Sequence, residues 1–515
     1  MNPNSGGRRL VSRRVLIGAA VSAPLLAAGG ASPAAASTVQ SVVVDTDYVS
    51  LEAAFAATPA GGVLEVRSAH SRGDTLLIDK PATIHFIEAG SITTTSATIA
   101  AITVQASNVR ITDALLIGTG GSTMSSGDGI RSTGTLAAPV LGLYVERPRI
   151  SEFSRYGVVL EHVHGFAISD VDIRRCAYAG IMLLSAVNGR VHGGLIKDIL
   201  QPSGNNSYGV AVSRKSPESI TGDGPRSRNI TVENVTIDGV PNWEALDTHA
   251  GENITFQNNT IYNARVGIAV IGSKDESGSG TAYGPIGCKV LGNVINSGKT
   301  DGTAGIGIIF AGAADDLGAP DELATGCVAG NIISNYGTQG TATSSSIQVY
   351  ASAGVSITDN TIINSGFSGI DFYHDNYGAK ASGNTIVDVW TDTASSCYAI
   401  QLRSFYNRVS ISGTTIVRMS KTATKVNDRG LNISASTTNL VRDGGGNDWA
   451  AATTLATAGD ALTSESRNYA KKVGLYGVAP VTRAPAVASP STDPASLKTA
   501  VDAIRAALAG IGVTG

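Results

Sequence analysis

Charge is scarce in this chain: only 15% of its 515 residues are Asp, Glu, Lys or Arg, and the formal net charge is -3. That balance leaves no basic surface for nucleic acid and no acidic run that would make a disordered tail. Long apolar runs are missing as well. The one candidate, an alanine-rich stretch ending near Gly30, is too short and too interrupted for a membrane span. Cysteine is limited to four residues, which leaves open at most a bridge between Cys288 and Cys327, since Cys176 and Cys397 lie many repeats apart. Glycine, by contrast, is abundant at 61 residues, and a long, Gly-rich, weakly charged chain fits an extended repeat protein.

The repeat is visible as a returning phrase: a small residue, an aliphatic, one variable position, then another apolar or small residue. It starts at Gly157, Gly180, Gly209, Ala245, Gly267, Gly305, Ser346, Gly369, Ala399 and Gly430. A period of roughly 20 to 40 residues, with units too short to bury a core alone, marks a stacked solenoid. Alternation with period two makes the units strands. In a second strand of each unit, Asn259, Asn293, Asn331, Asn360 and Asn384 stand directly before a β-branched pair. They predict a structural ladder of stacked side chains, with Asn suited to the left-handed backbone of a sharp corner.

Residues 50–66 read as a short amphipathic helix, a Pro-Gly turn and a strand, able to cover the open first rung. With Leu77–Ile84 and the rungs that follow, this stretch resembles the right-handed parallel β-helix proteins of the pectate-lyase-like superfamily over residues 45–440. The resemblance implies an all-β, right-handed parallel β-helix acting on carbohydrate; it does not imply one reaction, because the superfamily spans hydrolases, lyases, epimerases, esterases and tailspikes. Ser12–Ile17 resembles a twin-arginine export signal, with cleavage expected near Ala36 and a secreted mature protein. The domain reading is therefore a signal at 1–36, a catalytic β-helix at 37–440, a linker at 441–490 and a helix at 491–515. In that helix Leu497, Val501, Ile504, Leu508 and Ile511 have a/d spacing, and the segment resembles phage tail-fibre C-termini. A homotrimer is the expectation; docking of the stripe on the chain's own β-helix is the alternative.

Alternate strand positions point outward, and rungs lie about 4.8 Å apart, so outward columns can be read off the aligned phrases. One runs Val159, Met182, Ala211, Asp247, Ala269, Gly307, Gln348, Asp371, Gln401, Asn432. The next runs Glu161, Leu184, Ser213, His249, Ile271, Ile309, Tyr350, Tyr373, Arg403, Ser434. On the same alignment Cys288 faces inward and Cys327 outward, which favours isolated thiols over a bridge. Two polar patches emerge. The first holds Trp243, Glu244, Asp247 and His249, with Tyr208, Arg214 and Lys215 from the rung before. The second holds Asp371, Tyr373, His374 and Asp375, flanked by Gln348, Tyr350, Gln401 and Arg403.

Neighbouring carboxyls with an imidazole and an indole suit acid/base cleavage of a glycosidic bond with a sugar stacked on the indole. Asp247 and Asp371 are expected about 19 Å apart, four rungs, so they are not partners within one subunit; one patch is catalytic and the other holds distant sugars, unless a trimer joins them. Glu244, Asp247, His249 and Asp371 are the catalytic candidates, with Trp243, Arg214, Lys215, Gln348, Tyr350, Tyr373, His374, Asp375, Gln401 and Arg403 binding substrate. Insertions after Ser213, Ile271 and Ile309, including Lys274-Asp275-Glu276 and Asp315-Asp316, are expected to wall the first patch. No metal ligand or cofactor is assigned, and the partner is a polysaccharide. A hydrolase or transglycosidase leads. The alternatives are a lyase acting on a uronate polymer, with Lys215, His249, Tyr373 or Arg403 as base, and a non-catalytic glycan-binding protein. The paired-Asp and Gly-His-Gly signatures of polygalacturonases are absent, as is an evident Ca²⁺-binding carboxylate cluster.

Overall fold

The computed structural model describes residues 41–457 apart from 44–46, 203–205, 216–217, 221, 275–281, 299–304, 314–319, 338–344, 391–396, 418–428, 435–437 and 449–453, and Asp502. Parallel pairing dominates. Each strand bonds to the strand one rung below and one rung above, and the chain winds as a parallel β-helix.

Three apolar columns run up the interior, one for each face of the coil. The first passes from Ile102 through Ile130, Val158, Ile181, Val210, Leu246, Ile268, Ile308, Ile347 and Ile370 to Ile400. A second climbs from Ile84 through Ile111 and Val145 to Ile411. The third is nearly all isoleucine, through Ile150, Ile173, Ile196, Ile237, Ile261, Ile295, Ile333, Ile362 and Ile386. All of these side chains are buried. Each contributes about 1.5–3 kcal/mol of burial, and the β-branched shape suits a pleated column.

The predicted cap is the helix Leu51–Ala57, whose N-cap Ser50 accepts a hydrogen bond from the Ala53 N–H at 3.2 Å. Leu51, Ala54 and Phe55 join the core beside Leu64 and Leu76 and cover the first rung. The Asn ladder is also present: Asn259, Asn293, Asn331, Asn360 and Asn384 are buried, and each Nδ2 donates to the next Oδ1 at 2.9–3.0 Å. The left-handed corner, however, is taken by the residue before each ladder position: Asn258, Gly292, Gly330, Asp359 and Gly383 have φ of 54–66°. The ladder Asn supplies hydrogen bonds and its predecessor supplies the turn. A second ladder joins Asn376, Asn407 and Asn439.

Two expectations are corrected. The rung assigned Gly307 and Ile309 is shifted by two, because Ile309 pairs with Ala269 and Gln348, and Ala311 with Tyr350; the run Gly305-Ile-Gly-Ile offers the phrase twice. The sheet continues past 440, with Leu440–Gly445 on Arg408–Ser412 and Thr454–Thr457 on Arg429–Ile433, because backbone pairing persists where apolar alternation has faded. The expected isolated thiols are found: Cys288 pairs with Gly326 and Cys327 with Lys289, and no disulfide joins them. The signal at 1–36, the tips of the insertions at 275–276 and 315–316, and the C-terminal stripe lie outside the described residues.

Candidate functional site

A break in register builds the first patch. Thr236–His249 follows its neighbour Thr260–Ile271 up to Val240, then carries two extra residues before pairing resumes at Glu244 with Val266. Pro241, which cannot donate to a ladder, sits in that bulge. The bulge lifts Trp243 out of the strand, and Arg265 from the next rung lies 5.2 Å from its ring. Bulges commonly re-aim a side chain next to a site. Beyond it, Leu246 and Thr248 point into the core, and Asp247 and His249 point away from it.

Facing outward does not expose these acids: Glu244 is 2% and Asp247 0% exposed. Tyr156, Tyr178 and Tyr208 pack edge to face at 5.7 and 5.6 Å on the same side of the sheet, and Trp243 packs with them against Val159, Met182 and Ala211. The Trp243 indole donates to Glu244, whose Oε2 has no hydrogen-bond partner, as neither oxygen of Asp247 has. Burial holds the Glu244 carboxyl well above the ordinary range, and the neighbouring Asp247 charge adds to it. Burial alone lifts Asp247. His249 Nε2 lies 3.3 Å from Asp247 Oδ2, but burial lowers the imidazole pKa despite its backbone hydrogen bond at Gly272. Two acids thus meet an imidazole whose protonation burial disfavours, with the Arg265 guanidinium of the next rung acting on Glu244 only as a minor opposing charge. One oxygen from each carboxyl and one His249 nitrogen lie within 4.8 Å of one another, a donor set that also fits a divalent cation.

Arg214 and Lys215, expected to bind substrate, are turned elsewhere. Arg214 is buried, bonded to the Ser273 hydroxyl at 2.8 Å and to the carbonyls of Glu218 and Lys274. It ties down the base of the hairpin formed by Ser273–Lys274 and Ala282–Tyr283. Lys215 Nζ is paired with Asp223 at 2.8 Å and Glu161 at 3.1 Å. Column spacing alone does not show the partners from outside the rungs, which come from the 218–223 loop and the 273–283 hairpin.

In the second patch Gln348, Asp371 and Gln401 stack in register on successive rungs. Asp371 Oδ2 accepts from Gln348 Nε2 at 3.1 Å and lies 2.7 Å from Arg403 Nη2, and Arg403 in turn lies 4.0 Å from the Tyr373 ring. Burial pushes the Asp371 carboxyl up to about 6, the Arg403 charge and the Gln348 hydrogen bond opposing it. Tyr350 sits 6.0 Å from Tyr373 and 5.2 Å from His374. Asp375, expected to bind substrate, is fully buried, 2.9 Å from His374 Nδ1 and accepting from the Tyr377 hydroxyl at 3.1 Å.

Asp247 and Asp371 are four rungs apart, through Ala269, Ile309 and Gln348, about 19 Å. Residues not singled out from sequence are Tyr156, Tyr178 and Arg265. The two tyrosines did leave a signal: with Tyr208, they stand one or two residues before the glycine of three successive phrases.

No family model matches this chain, and neither does any curated protein. Among solved structures it is similar to the catalytic unit of a GH87 alpha-1,3-glucanase from Streptomyces thermodiastaticus, at 15% identity and TM-score 0.41, covering 80% of this chain and 66% of that one. A GH87 alpha-1,3-glucanase catalytic domain in complex with tetrasaccharides gives 13% identity and TM-score 0.49, covering 82% and 70%. A tailspike of an E. coli bacteriophage in complex with a hexasaccharide gives 14% and 0.44, covering 70% of this chain and 59% of that one.

Proposed function

We propose that this protein cleaves glycosidic bonds of a polysaccharide, as a glycoside hydrolase or transglycosidase, with Glu244 and Asp247 as its reacting carboxyl pair. One observation carries the reading: two buried carboxyls share a rung, and three of their four oxygens have no hydrogen-bond partner. Such a pair holds a proton at neutral pH, and one carboxyl can then protonate the leaving oxygen as the other attacks or activates water. One oxygen of each carboxyl lies within 4.8 Å of the other, close enough for both groups to act on one glycosidic bond. Trp243, partly exposed beside the pair, offers an apolar face to a sugar ring.

The lyase alternative requires cations to meet a uronate. Arg214, Lys215 and Arg403 are each committed to protein partners, which favours hydrolysis. The test is incubation with a polysaccharide panel, following reducing ends together with the absorbance of unsaturated uronates. New reducing ends without that absorbance are expected; absorbance rising in step with every cleavage would replace the hydrolase with a lyase. Export through the twin-arginine signal, with release near Ala36, and trimer formation through 491–515 belong to the same proposal, and N-terminal sequencing and sedimentation check them.

A further inference from the structure

The second patch is not needed for bond cleavage at Glu244 and Asp247, yet it carries two buried acceptors that the protein leaves unused. Asp371 Oδ1 and Gln401 Oε1 have no hydrogen-bond partner, and their residues are 1% and 5% exposed. An orphaned buried acceptor costs about 1–3 kcal/mol, so two side by side on adjacent rungs call for a ligand that supplies donors. Aromatic rings frame them, with Tyr373 under Arg403 and Tyr350 against Tyr373.

The surface between the patches is apolar. Ala269 and Ile309 fill one column and Ile271 and Ala311 the other. Tyr350 belongs to both ends: it packs on Tyr373 and His374, and its hydroxyl is close enough to Glu244 to feel that charge. Apolar strips edged by hydrogen-bonding groups match the two characters of a sugar ring, whose faces are apolar and whose rim is hydroxylated.

We infer that Asp371 and Gln401 form a distant subsite for a hydroxyl-rich, uncharged or amino-bearing sugar, so that the substrate is a glycan chain spanning the four rungs from Glu244. A uronate is disfavoured because it brings further acceptors to a place already rich in them, and the one guanidinium there is paired with Asp371. This inference rests on the proposed function for the position of the reacting end, but the binding it requires is independent of cleavage.

The experiment uses the full chain carrying Asp247→Asn, to prevent turnover, titrated calorimetrically with neutral glucan oligosaccharides of increasing length, chitosan oligosaccharides and polygalacturonate. Affinity should rise with length for a neutral or amino series and exceed that for polygalacturonate. Adding Asp371→Asn, or separately Gln401→Ala, should weaken binding of the longest member at least about tenfold, the loss of one hydrogen bond to a buried partner, and weaken the shortest less. Two variants are used because Asp371→Asn leaves Arg403 without its counter-ion. Preference for polygalacturonate, absence of binding across the panel, or unchanged long-chain affinity in folded variants overturns the inference. If neutral chains bind with this dependence but the parent protein cleaves none, the proposed function fails and the subsite stands.

Discussion

The Asn ladder and the Glu244–Asp247 pair are both buried polar groups on the same coil, and they are treated in opposite ways. Every ladder side chain from Asn259 to Asn360 donates to its neighbour, and Asn331 also bonds the Val290 carbonyl. Glu244 and Asp247 keep three carboxyl oxygens without a hydrogen-bond partner. Native proteins leave few buried polar atoms unsatisfied, and a chain that completes a five-member ladder has the means to avoid it. On the proposed function, the contrast separates residues that hold the fold from residues kept for a ligand.

Breaking each side of that contrast should give opposite results. Asp247→Asn should lower glycan cleavage by about 10²–10⁴-fold, the usual weight of a positioned acid or base, and leave the melting temperature equal or higher, because a desolvated acid has been neutralised. Both readouts come from one preparation. Asn331→Ala should do the reverse, destabilising by roughly 3–5 kcal/mol because the Val290 carbonyl, the Asn293 donors and Asn360 Oδ1 all lose a partner. Activity per folded molecule should not change; chemical denaturation checks the first effect and titrated specific activity the second.

How far sequence alone reaches follows the same division. The ladder and the three core columns were legible, because they depend on period-two alternation and on a residue type recurring in register. The neighbours Asp247 and His249, and Gln348, Asp371 and Gln401, were legible for the same reason. Their burial was not: it comes from Tyr178, Tyr208 and Trp243 packing on the outer face, and Trp243 reaches that place through a two-residue bulge that phrase alignment does not register. The protein partners of Arg214 and Lys215 were not legible, because Glu218 and Asp223 lie in a loop and Lys274 in a hairpin outside the repeat.

A finer contrast lies between the two acid sites, since Asp371 has a cation beside it and Asp247 does not. The native state holds the Asp371 proton more tightly than an unfolded chain, with the carboxyl raised from 3.8 to about 6. Its stabilising contribution is complete below 3.8 and declines as pH rises through about 6, a change of about 3 kcal/mol. Asp371→Asn should therefore flatten the stability profile over that interval, as read by urea denaturation across the pH series. The smallest expected effect is of metal removal: cleavage should be unchanged after dialysis against a chelator, and its loss, restored by a divalent cation, would make Glu244, Asp247 and His249 metal ligands in place of an acid pair.

The protonation of that pair can be observed directly, by infrared difference spectroscopy of the parent protein against Asp247→Asn. A protonated-carboxyl band that depends on Asp247 and persists at about pH 7 is the expected result for acids raised chiefly by desolvation. A pair already fully ionised at about pH 5, the ordinary behaviour of exposed carboxylates, would contradict the assignment of these residues as the reacting carboxyls.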